Sequence, residues 1–187
     1  GYDHRFGKGR EASVKDLKEY SREFNFVVDE IDAQEIEKIT ISSTKIRNSI
    51  NEGDLKTTKI YLGRFFSLTG KVVKGDGLGK QINYPTANIS IEEDYKIIPK
   101  DGVYYIKTTI DNKLYNGMMN IGHRPTIGTK EKSIEVNLFN FDRDIYDRVI
   151  SIDVVEKIRD EKKFASIEAL KTQLAKDQEH CLKLINK

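Results

Sequence analysis

The first third of the chain carries apolar residues at the spacing of amphipathic helices. Within residues 14–24 they recur on one helical face behind Ser13, a residue type that caps helices. Residues 43–53 and 54–63 repeat the pattern, and each run ends in a glycine, which is typical of a helix C-terminus. Three consecutive apolar residues at positions 26–28 predict a short buried strand. A strand among helices indicates the last part of an α/β domain.

Beyond residue 65 the pattern changes to short apolar runs separated by turn signals. Asp111 and Asn112 between two of these runs predict a hairpin turn. Short strands at regular spacing predict an antiparallel barrel or sandwich. A last amphipathic run behind Ser166, with an apolar stripe from Ile167 to Ile185, predicts a helix packed across it. The predicted strands cover residues 67–74, 102–110, 113–120, 133–139 and 149–157.

Composition excludes some classes of protein without selecting a function. The 32 basic and 30 acidic residues are interspersed, so no one-sided basic surface for nucleic acid is predicted. No apolar run approaches the roughly 18 residues of a membrane-spanning helix. The single cysteine, Cys181, cannot form a disulfide within the chain, so we expect a reducing, cytoplasmic location.

A glycine-rich segment, GDGLGK at residues 75–80, follows the first predicted strand. Its glycines let the backbone approach a ligand and direct N–H groups at phosphate oxygens, and Lys80 adds a positive charge. A plain turn between strands has the same composition. The segment is not a Walker A loop, because Gln81 replaces the required Ser or Thr. No helix is predicted after it, unlike in a dinucleotide-binding fingerprint.

Two further segments carry groups suited to chemistry. In YPTAN, residues 84–88, Thr86 and Asn88 offer neutral oxygen ligands for Mg²⁺, provided that phosphate oxygens complete the coordination. An ordinary polar start of a strand is the other interpretation. In the fourth predicted strand, Glu135 and Asn137 alternate with apolar residues and so share one face. A carboxylate fixed on a strand can act as general base towards an alcohol, but a glutamate that merely faces solvent has the same pattern.

The order and spacing of these segments resemble the riboflavin kinase family. The resemblance extends to NIGHRPT at residues 120–126 and RDEKKF at residues 159–164. It implies a six-stranded antiparallel Greek-key barrel with a C-terminal helix. The implied activity is transfer of the γ-phosphate of ATP to the 5′-hydroxyl of riboflavin, which gives FMN and ADP.

The resemblance also implies roles for individual residues. Thr86 and Asn88 would hold Mg²⁺ with ATP, and Glu135 would be the catalytic base. Residues 159–164 and the last helix would border the flavin, for whose apolar slot Phe139, Phe141 and Phe164 are candidates. The implied ligand contacts are Gly75, Gly77, Leu78, Gly79, Lys80, Tyr84, Pro85, Thr86, Asn88, Asn120, Arg159 and Phe164.

Two positions depart from the family pattern. Ile82, Asn83 and Tyr84 stand where the family usually has a more apolar Leu-Gly-Phe-like approach to the proline. Tyr146 and Asp147 stand where a Tyr-Gly pair is common. Both departures concern the shape of loops and leave the groups that carry the chemistry in place.

The N-terminal part resembles the last third of the FMN adenylyltransferase domain that precedes the kinase in prokaryotic bifunctional FAD synthetases. The similarity lies in residues 1–10 and in ISSTKIR at residues 41–47, where a helix start could bind phosphate or be an ordinary cap. The nucleotide motif of the His-x-x-His type, upstream in that family, does not occur in this sequence. We therefore expect residues 1–62 to be a C-terminal fragment of that domain and residues 63–187 to be the kinase domain.

Two other functions stay open at this point. A barrel that only binds a flavin or a nucleotide would share the strand pattern but would not need Glu135. A working bifunctional enzyme would make FAD as well as FMN. We expect the adenylyltransferase portion missing here to precede these residues in the full-length protein, and we expect no FAD synthesis from this chain.

Overall fold

The computed structural model describes residues 5–30, 35–36, 39–75, 77–123 and 132–185. The chain forms two compact units, residues 1–43 and 44–187. The first unit contains helix α1 (Val14–Phe24) and one antiparallel pair of short strands, β1 (Glu35–Ile36) and β2 (Ile39–Thr40). Three parts of the predicted motifs lie outside the described residues, namely residues 1–4, residue 76 and residues 124–126.

Helix α1 begins as the sequence predicts. The Asp16 carboxylate accepts hydrogen bonds from the Ser13 N–H and the Ser13 hydroxyl, both at 2.6 Å, and so holds the first turn. The strand predicted at residues 26–28 is wrong. These residues form no strand, and the Val27 side chain is 87% exposed, so the apolar run is not part of a sheet.

The second unit is a closed barrel preceded by two helices. All neighbouring strands are antiparallel, in the order β3-β4-β7-β6-β5-β8, which confirms the six-stranded antiparallel barrel with a C-terminal helix. The elements are α2 (Ser43–Glu52), α3 (Leu55–Leu62), β3 (Phe66–Val73), α4 (Leu78–Gln81), β4 (Ala87–Ser90), β5 (Gly102–Ile110), β6 (Lys113–His123), β7 (Lys132–Leu138), β8 (Val149–Arg159) and α5 (Ile167–Ile185).

Three local predictions can be compared with these elements. The hairpin turn between β5 and β6 is confirmed, since Ile110 pairs with Lys113 and both Asp111 and Asn112 have positive φ. Strand β4 was not predicted, because four residues are too few to show an alternation. The sequence also did not predict the single helical turn α4, which begins inside the glycine-rich segment behind Gly77 and is followed by strand β4.

The barrel wall has an inner and an outer face. The inner cluster of buried side chains fills the barrel. The outer cluster lies between the barrel and α5 and consists of Val103, Tyr105, Met118, Phe139 and Cys181. The inner cluster consists of Leu55, Leu68, Val72, Ile89, Tyr104, Ile106, Ile110, Tyr115, Met119, Ile121, Ile134, Val136, Leu138, Ile145, Ile150, Ile152 and Val154.

Helix α5 confirms its predicted cap and part of its predicted stripe, since Leu174 and Cys181 pack against the barrel. The Ser166 hydroxyl accepts a hydrogen bond from the Ala169 N–H at 3.2 Å. Ile167, at the start of the predicted stripe, is 51% exposed. The buried positions of α5 are Asp177 and Cys181, so one charged residue occupies the packed face. None of the helices in the described ranges has the length and apolarity that a bilayer crossing requires.

Helix α3 joins the barrel core. Asp54 caps it by accepting from the Thr57 N–H at 3.0 Å, and Leu55 belongs to the inner cluster. The buried Thr58 and Ser49 hydroxyls lie 2.8 Å apart and share a hydrogen bond between α2 and α3. The domain boundary at residues 62 and 63 stays a prediction, but both helices fall almost wholly in the compact unit that contains the barrel.

Candidate active site

Cross-strand pairing places the predicted site residues side by side. Asn88 of β4 pairs with Glu135 of β7, and Glu135 pairs on its other side with Asn120 of β6. Asn120 pairs with Val103 of β5, which pairs with Arg159 at the end of β8. Directly paired residues of a sheet share a face, so the strands carry these five residues as one row around the outer wall. Three of the five are polar neighbours centred on Glu135.

The row opens into a cleft of about 270 Å³ at the outer wall of the barrel. Its apolar lining includes Met118, Leu170 and Leu174, the last two from α5. An apolar cleft with a few convergent polar groups is the usual form of a small-molecule site. The predicted site residues that line it are Gly79, Tyr84, Thr86, Asn120, Glu135, Arg159 and Phe164.

A second cavity, of about 670 Å³, lies on another side of Thr86. Lys80 and Pro85 line it, together with Asn83 and Tyr146. Thr86 lines both this cavity and the cleft of Glu135. Ligands in the two spaces would therefore have Thr86 as a common neighbour.

The three glycines of the glycine-rich segment serve different purposes. A Cβ at Gly75 would clash with the Asn88 side-chain amide, and a Cβ at Gly79 would clash with the Tyr84 carbonyl oxygen and lie 3.0 Å from the Thr86 hydroxyl oxygen. Gly75 therefore lets the loop backbone lie on Asn88, and Gly79 lets it lie on the chain from Tyr84 to Thr86. Gly77 has no atom within 4 Å of its missing Cβ but has a φ of +70°, which favours glycine.

The available donors suit a metal ion that is shared with phosphate. Among the residues that the structure describes, no group of three or more His, Cys, Asp or Glu side chains could hold a metal ion by itself. Thr86 and Asn88 instead offer hydroxyl and amide oxygens, and Glu135 lies next to Asn88 in the sheet. Hard oxygen donors in such small number fit Mg²⁺ only when phosphate oxygens and water supply the other positions.

Asn137 is a part of the site that the sequence did not identify. It is buried on the same face of β7 as Glu135, and its side-chain N–H donates to the Pro85 carbonyl at 2.8 Å. This bond ties β7 to the chain immediately before Thr86. The alternation of polar residues on β7 was the available signal, but it could not name a partner on another strand.

A buried ionic network borders the cleft where β8 ends. Arg159 donates from Nε to both carboxylate oxygens of Asp177, at 3.0 and 3.1 Å, and its terminal nitrogen lies 2.8 Å from the same carboxylate. The guanidinium lies 5.7 Å from the centre of the Phe164 ring. Gln173 donates to Asp177 at 2.8 Å and accepts from Lys162 at 2.6 Å. Asp177 and Gln173 were not predicted, although a charged residue on a packed helix face was a signal.

A second carboxylate lines the cleft close to the end of β6. The carboxylate of the exposed Glu161 lies where a Cβ at Gly122 would be. A side chain at this glycine of the NIGHRPT motif would require the Glu161 carboxylate to move. Of the three phenylalanines considered for an apolar slot, only Phe164 lines the cleft. Phe139 belongs to the outer cluster. Phe141 packs edge-on against Tyr115, with 5.0 Å between the ring centres.

The two departures from the family pattern fit their loops. Asn83 and Asp147 adopt φ values of +62° and +63°, in the left-handed region that Asn and Asp tolerate better than most residues. The Asp147 carboxylate also lies 2.8 Å from the Lys71 ammonium, which lowers the pKa of Asp147. Both residues thus take a left-handed backbone conformation that glycine also adopts.

Comparisons with known proteins give consistent matches. The family model described as riboflavin kinase matches residues 62–185, and the one described as FAD synthetase matches residues 1–45. The bifunctional riboflavin kinase/FMN adenylyltransferase of Bacillus subtilis is 34% identical over 195 residues, covering 98% of this chain and 58% of that protein. The protein of the same description from Buchnera aphidicola subsp. Schizaphis graminum is 38% identical, covering 100% and 60%.

A solved structure from Streptococcus pneumoniae, described as a macrolide-efflux protein, is similar as well. Its TM-score is 0.83 at 36% identity, covering 96% of this chain and 57% of that one. The chain thus spans somewhat more than half the length of the proteins it matches.

Proposed function

The chain belongs to the riboflavin kinase family, and from this we propose that it transfers the γ-phosphate of ATP to the 5′-hydroxyl of riboflavin. The products are FMN and ADP. The observation that carries the proposal is the position of Glu135, a carboxylate fixed between Asn88 and Asn120 in the wall of an otherwise largely apolar cleft. The single cysteine fits the reducing cytoplasm, where we place the reaction.

We assign the two ligands to the two spaces that meet at Thr86. Riboflavin takes the cleft, because Met118, Leu174 and Phe164 offer apolar surface for a planar ring. ATP takes the second cavity, because Lys80 lines it and the glycine-rich segment offers backbone N–H groups to phosphates. With this placement the terminal phosphate and the acceptor hydroxyl meet between Thr86 and Glu135.

Thr86 and Asn88 hold Mg²⁺ in this proposal, together with phosphate oxygens of ATP. When bound, the ion offsets the negative charge of the phosphates, a large part of what phosphoryl transfer requires. Asn137 keeps Thr86 in place through the Pro85 carbonyl. The glycine-rich segment, packed on Thr86 and Asn88, brings its N–H groups close to the same phosphates.

Glu135 acts as general base. Its carboxylate accepts the proton of the riboflavin 5′-hydroxyl as the new bond from oxygen to the γ-phosphorus forms. The bond between that phosphorus and the bridging oxygen of ATP breaks, and ADP leaves with the electron pair. No covalent enzyme intermediate is needed, so positioning and neutralisation of charge are the main tasks of the protein.

Incubation with riboflavin and MgATP, followed by chromatography of the products, tests the proposal. We expect FMN and ADP from the wild-type chain and far less from Glu135→Gln. Riboflavin that binds but is not phosphorylated would favour a binding module. FAD in addition to FMN would favour a bifunctional enzyme. We expect FMN alone.

The domain boundaries are also part of this proposal. We propose residues 63–187 as the kinase domain and residues 1–62 as part of an adenylyltransferase-like domain.

A further inference from the structure

Asp177 is a charged residue in a position where helices normally bury apolar side chains. It is 2% exposed and lies four residues before Cys181, which is also fully buried against the barrel. Another acidic residue of the same helix, Glu179, forms an ordinary surface pair with Lys183, and its side chain is 65% exposed. A buried ion pair is costly to desolvate and is weak evidence for a stabilising role. The position of Asp177 therefore calls for another explanation.

The contacts of Asp177 all lead towards the cleft. Its carboxylate holds Arg159 by a two-point contact, and the side chain of Arg159 is only 18% exposed. Arg159 in turn lies over the ring of Phe164. Gln173 donates to Asp177 and accepts from Lys162.

Asp177 and Gln173 do not line the cleft, whereas Arg159, Lys162 and Phe164 do. The contacts therefore connect the buried face of α5 with one wall of the cleft. A guanidinium held at two points by one carboxylate has a fixed plane, which a single contact would not give. A planar ligand that packs against this wall requires that plane to stay in one place.

We propose that Asp177 is a positioning residue for riboflavin, which acts by fixing Arg159 and, through it, Phe164 at the wall of the cleft. Gln173 assists by holding the Asp177 carboxylate and Lys162. The inference rests on the proposed function, since it takes riboflavin as the occupant of the cleft. Neither residue is expected to touch the flavin or the reacting atoms.

The test compares Asp177→Asn and Gln173→Ala with Glu179→Gln, a loss of the same charge on an exposed part of the same helix. Riboflavin affinity is measured by quenching of flavin fluorescence, and KM is measured for both substrates. We expect the riboflavin Kd and KM to rise about tenfold in Asp177→Asn and to a smaller extent in Gln173→Ala. The KM for MgATP should stay within about twofold, and Glu179→Gln should match wild type throughout.

Folded Asp177→Asn with wild-type riboflavin affinity would overturn the inference. Equal changes in both KM values would also overturn it, because they would indicate a general structural role. If Asp177→Asn does not fold, Gln173→Ala provides the test, because Gln173 is only half-buried. An unchanged riboflavin Kd in Gln173→Ala would then overturn the inference. A wild-type chain that binds riboflavin without making FMN contradicts the proposed function alone, since the Kd comparison still tests Asp177. A wild-type chain that does not bind riboflavin overturns both.

Discussion

Along β7, Ile134 and Val136 point into the barrel and are almost fully buried. Glu135 and Asn137 point the other way, into the cleft. The inner residues are apolar and have only packing to contribute, whereas the outer residues are polar and face a space large enough for a ligand. Because successive residues of one strand belong to opposite faces, stability and chemistry are separated by a single residue. Substitutions on the outer face should therefore lower kcat and leave stability unchanged, whereas substitutions on the inner face should lower stability and leave kcat unchanged.

The largest effect is expected for Glu135→Gln. The change keeps the size of the side chain and removes its ability to accept a proton. A general base typically contributes about 10²- to 10⁴-fold, so we expect kcat to fall by that factor with little change in either KM. The melting temperature should be unchanged, because the packed face of β7 is intact. Steady-state kinetics and thermal unfolding of the same preparation measure both effects.

Glu156→Gln provides the matched control for that experiment. Glu156 lies on β8, is not among the residues that line the cleft, and pairs with Lys56 at 3.6 Å. It should keep wild-type kcat. If folded Glu135→Gln turns over within about threefold of wild type, well short of the usual contribution of a base, another group takes the proton.

Ile134→Ala tests the other face of the same strand. Ile134 is 3% exposed in the inner cluster, and a buried Ile→Ala change typically costs about 2–5 kcal/mol of unfolding free energy. Urea denaturation should show this loss. The kcat of the folded protein should stay near wild type, since the outer row is untouched. A large fall in kcat at temperatures where the variant is fully folded would mean that the two faces are coupled.

Thr86→Ala is expected to have the next largest effect. Removal of the hydroxyl takes away one proposed ligand of the metal, so we expect the KM for MgATP to rise by about tenfold or more. Riboflavin affinity, measured by fluorescence quenching, should change little. Thr69→Ala is the control, because Thr69 is an exposed threonine of β3 whose hydroxyl donates to the Ser151 hydroxyl at 3.2 Å. Unchanged kinetics in Thr86→Ala would remove this residue from the metal site.

The inner core reaches beyond the barrel strands, and truncation can show how far. A variant that lacks residues 1–40 keeps α2 and α3, whereas one that lacks residues 1–63 also loses Leu55 from the inner cluster. Burial of one leucine contributes roughly 1.5–3 kcal/mol, so the shorter chain should unfold at a lower temperature. Both should still make FMN if they fold. A soluble and folded short variant without kinase activity would contradict the proposed boundary at residues 62 and 63.

Local patterns along the sequence predicted most of the barrel. The strand predicted at residues 102–110 is β5, because a short apolar run between two turn signals favours a buried strand. The run at residues 26–28 failed because apolar character alone does not supply the neighbouring strand that a sheet requires. β4 was missed because it is short and carries the polar Asn88 among its four residues.

The candidate site was predictable to the extent that it lies in contiguous motifs. Glu135, Thr86 and Asn88 were singled out from the sequence, and the fold brings them close together, although their roles stay predictions. The pairing of Glu135 with Asn120 depends on the register between β6 and β7, which no local pattern encodes. The contact between Arg159 and Asp177 likewise joins the end of a strand to a helix through tertiary packing.

The smallest effect is expected for Asp111→Asn, which makes the same change from carboxylate to amide as Glu135→Gln but in a surface turn. Asp111 pairs with Arg148 at 2.6 Å and with Arg143 at 3.0 Å, and the hydrogen bond from Arg148 is the main cause that lowers the Asp111 pKa. Surface pairs contribute little to stability. Asparagine also tolerates the positive φ of this position, so the turn itself should survive.

The stabilisation by the Asp111 ion pairs depends on pH, and its direction follows from the lowered pKa of Asp111. A carboxyl whose pKa is lower in the folded than in the unfolded state stabilises the fold above its unfolded pKa. That contribution disappears as the pH falls through the lowered folded pKa of Asp111. The melting temperature of Asp111→Asn should therefore be slightly below that of wild type at neutral pH and equal to it in acid, with kcat unchanged throughout. A difference that persisted in acid would arise from the turn and not from the ion pairs. Glu135→Gln and Asp111→Asn both replace a carboxylate by an amide. Their effects on kcat should then differ only because one carboxylate faces a ligand and the other faces solvent.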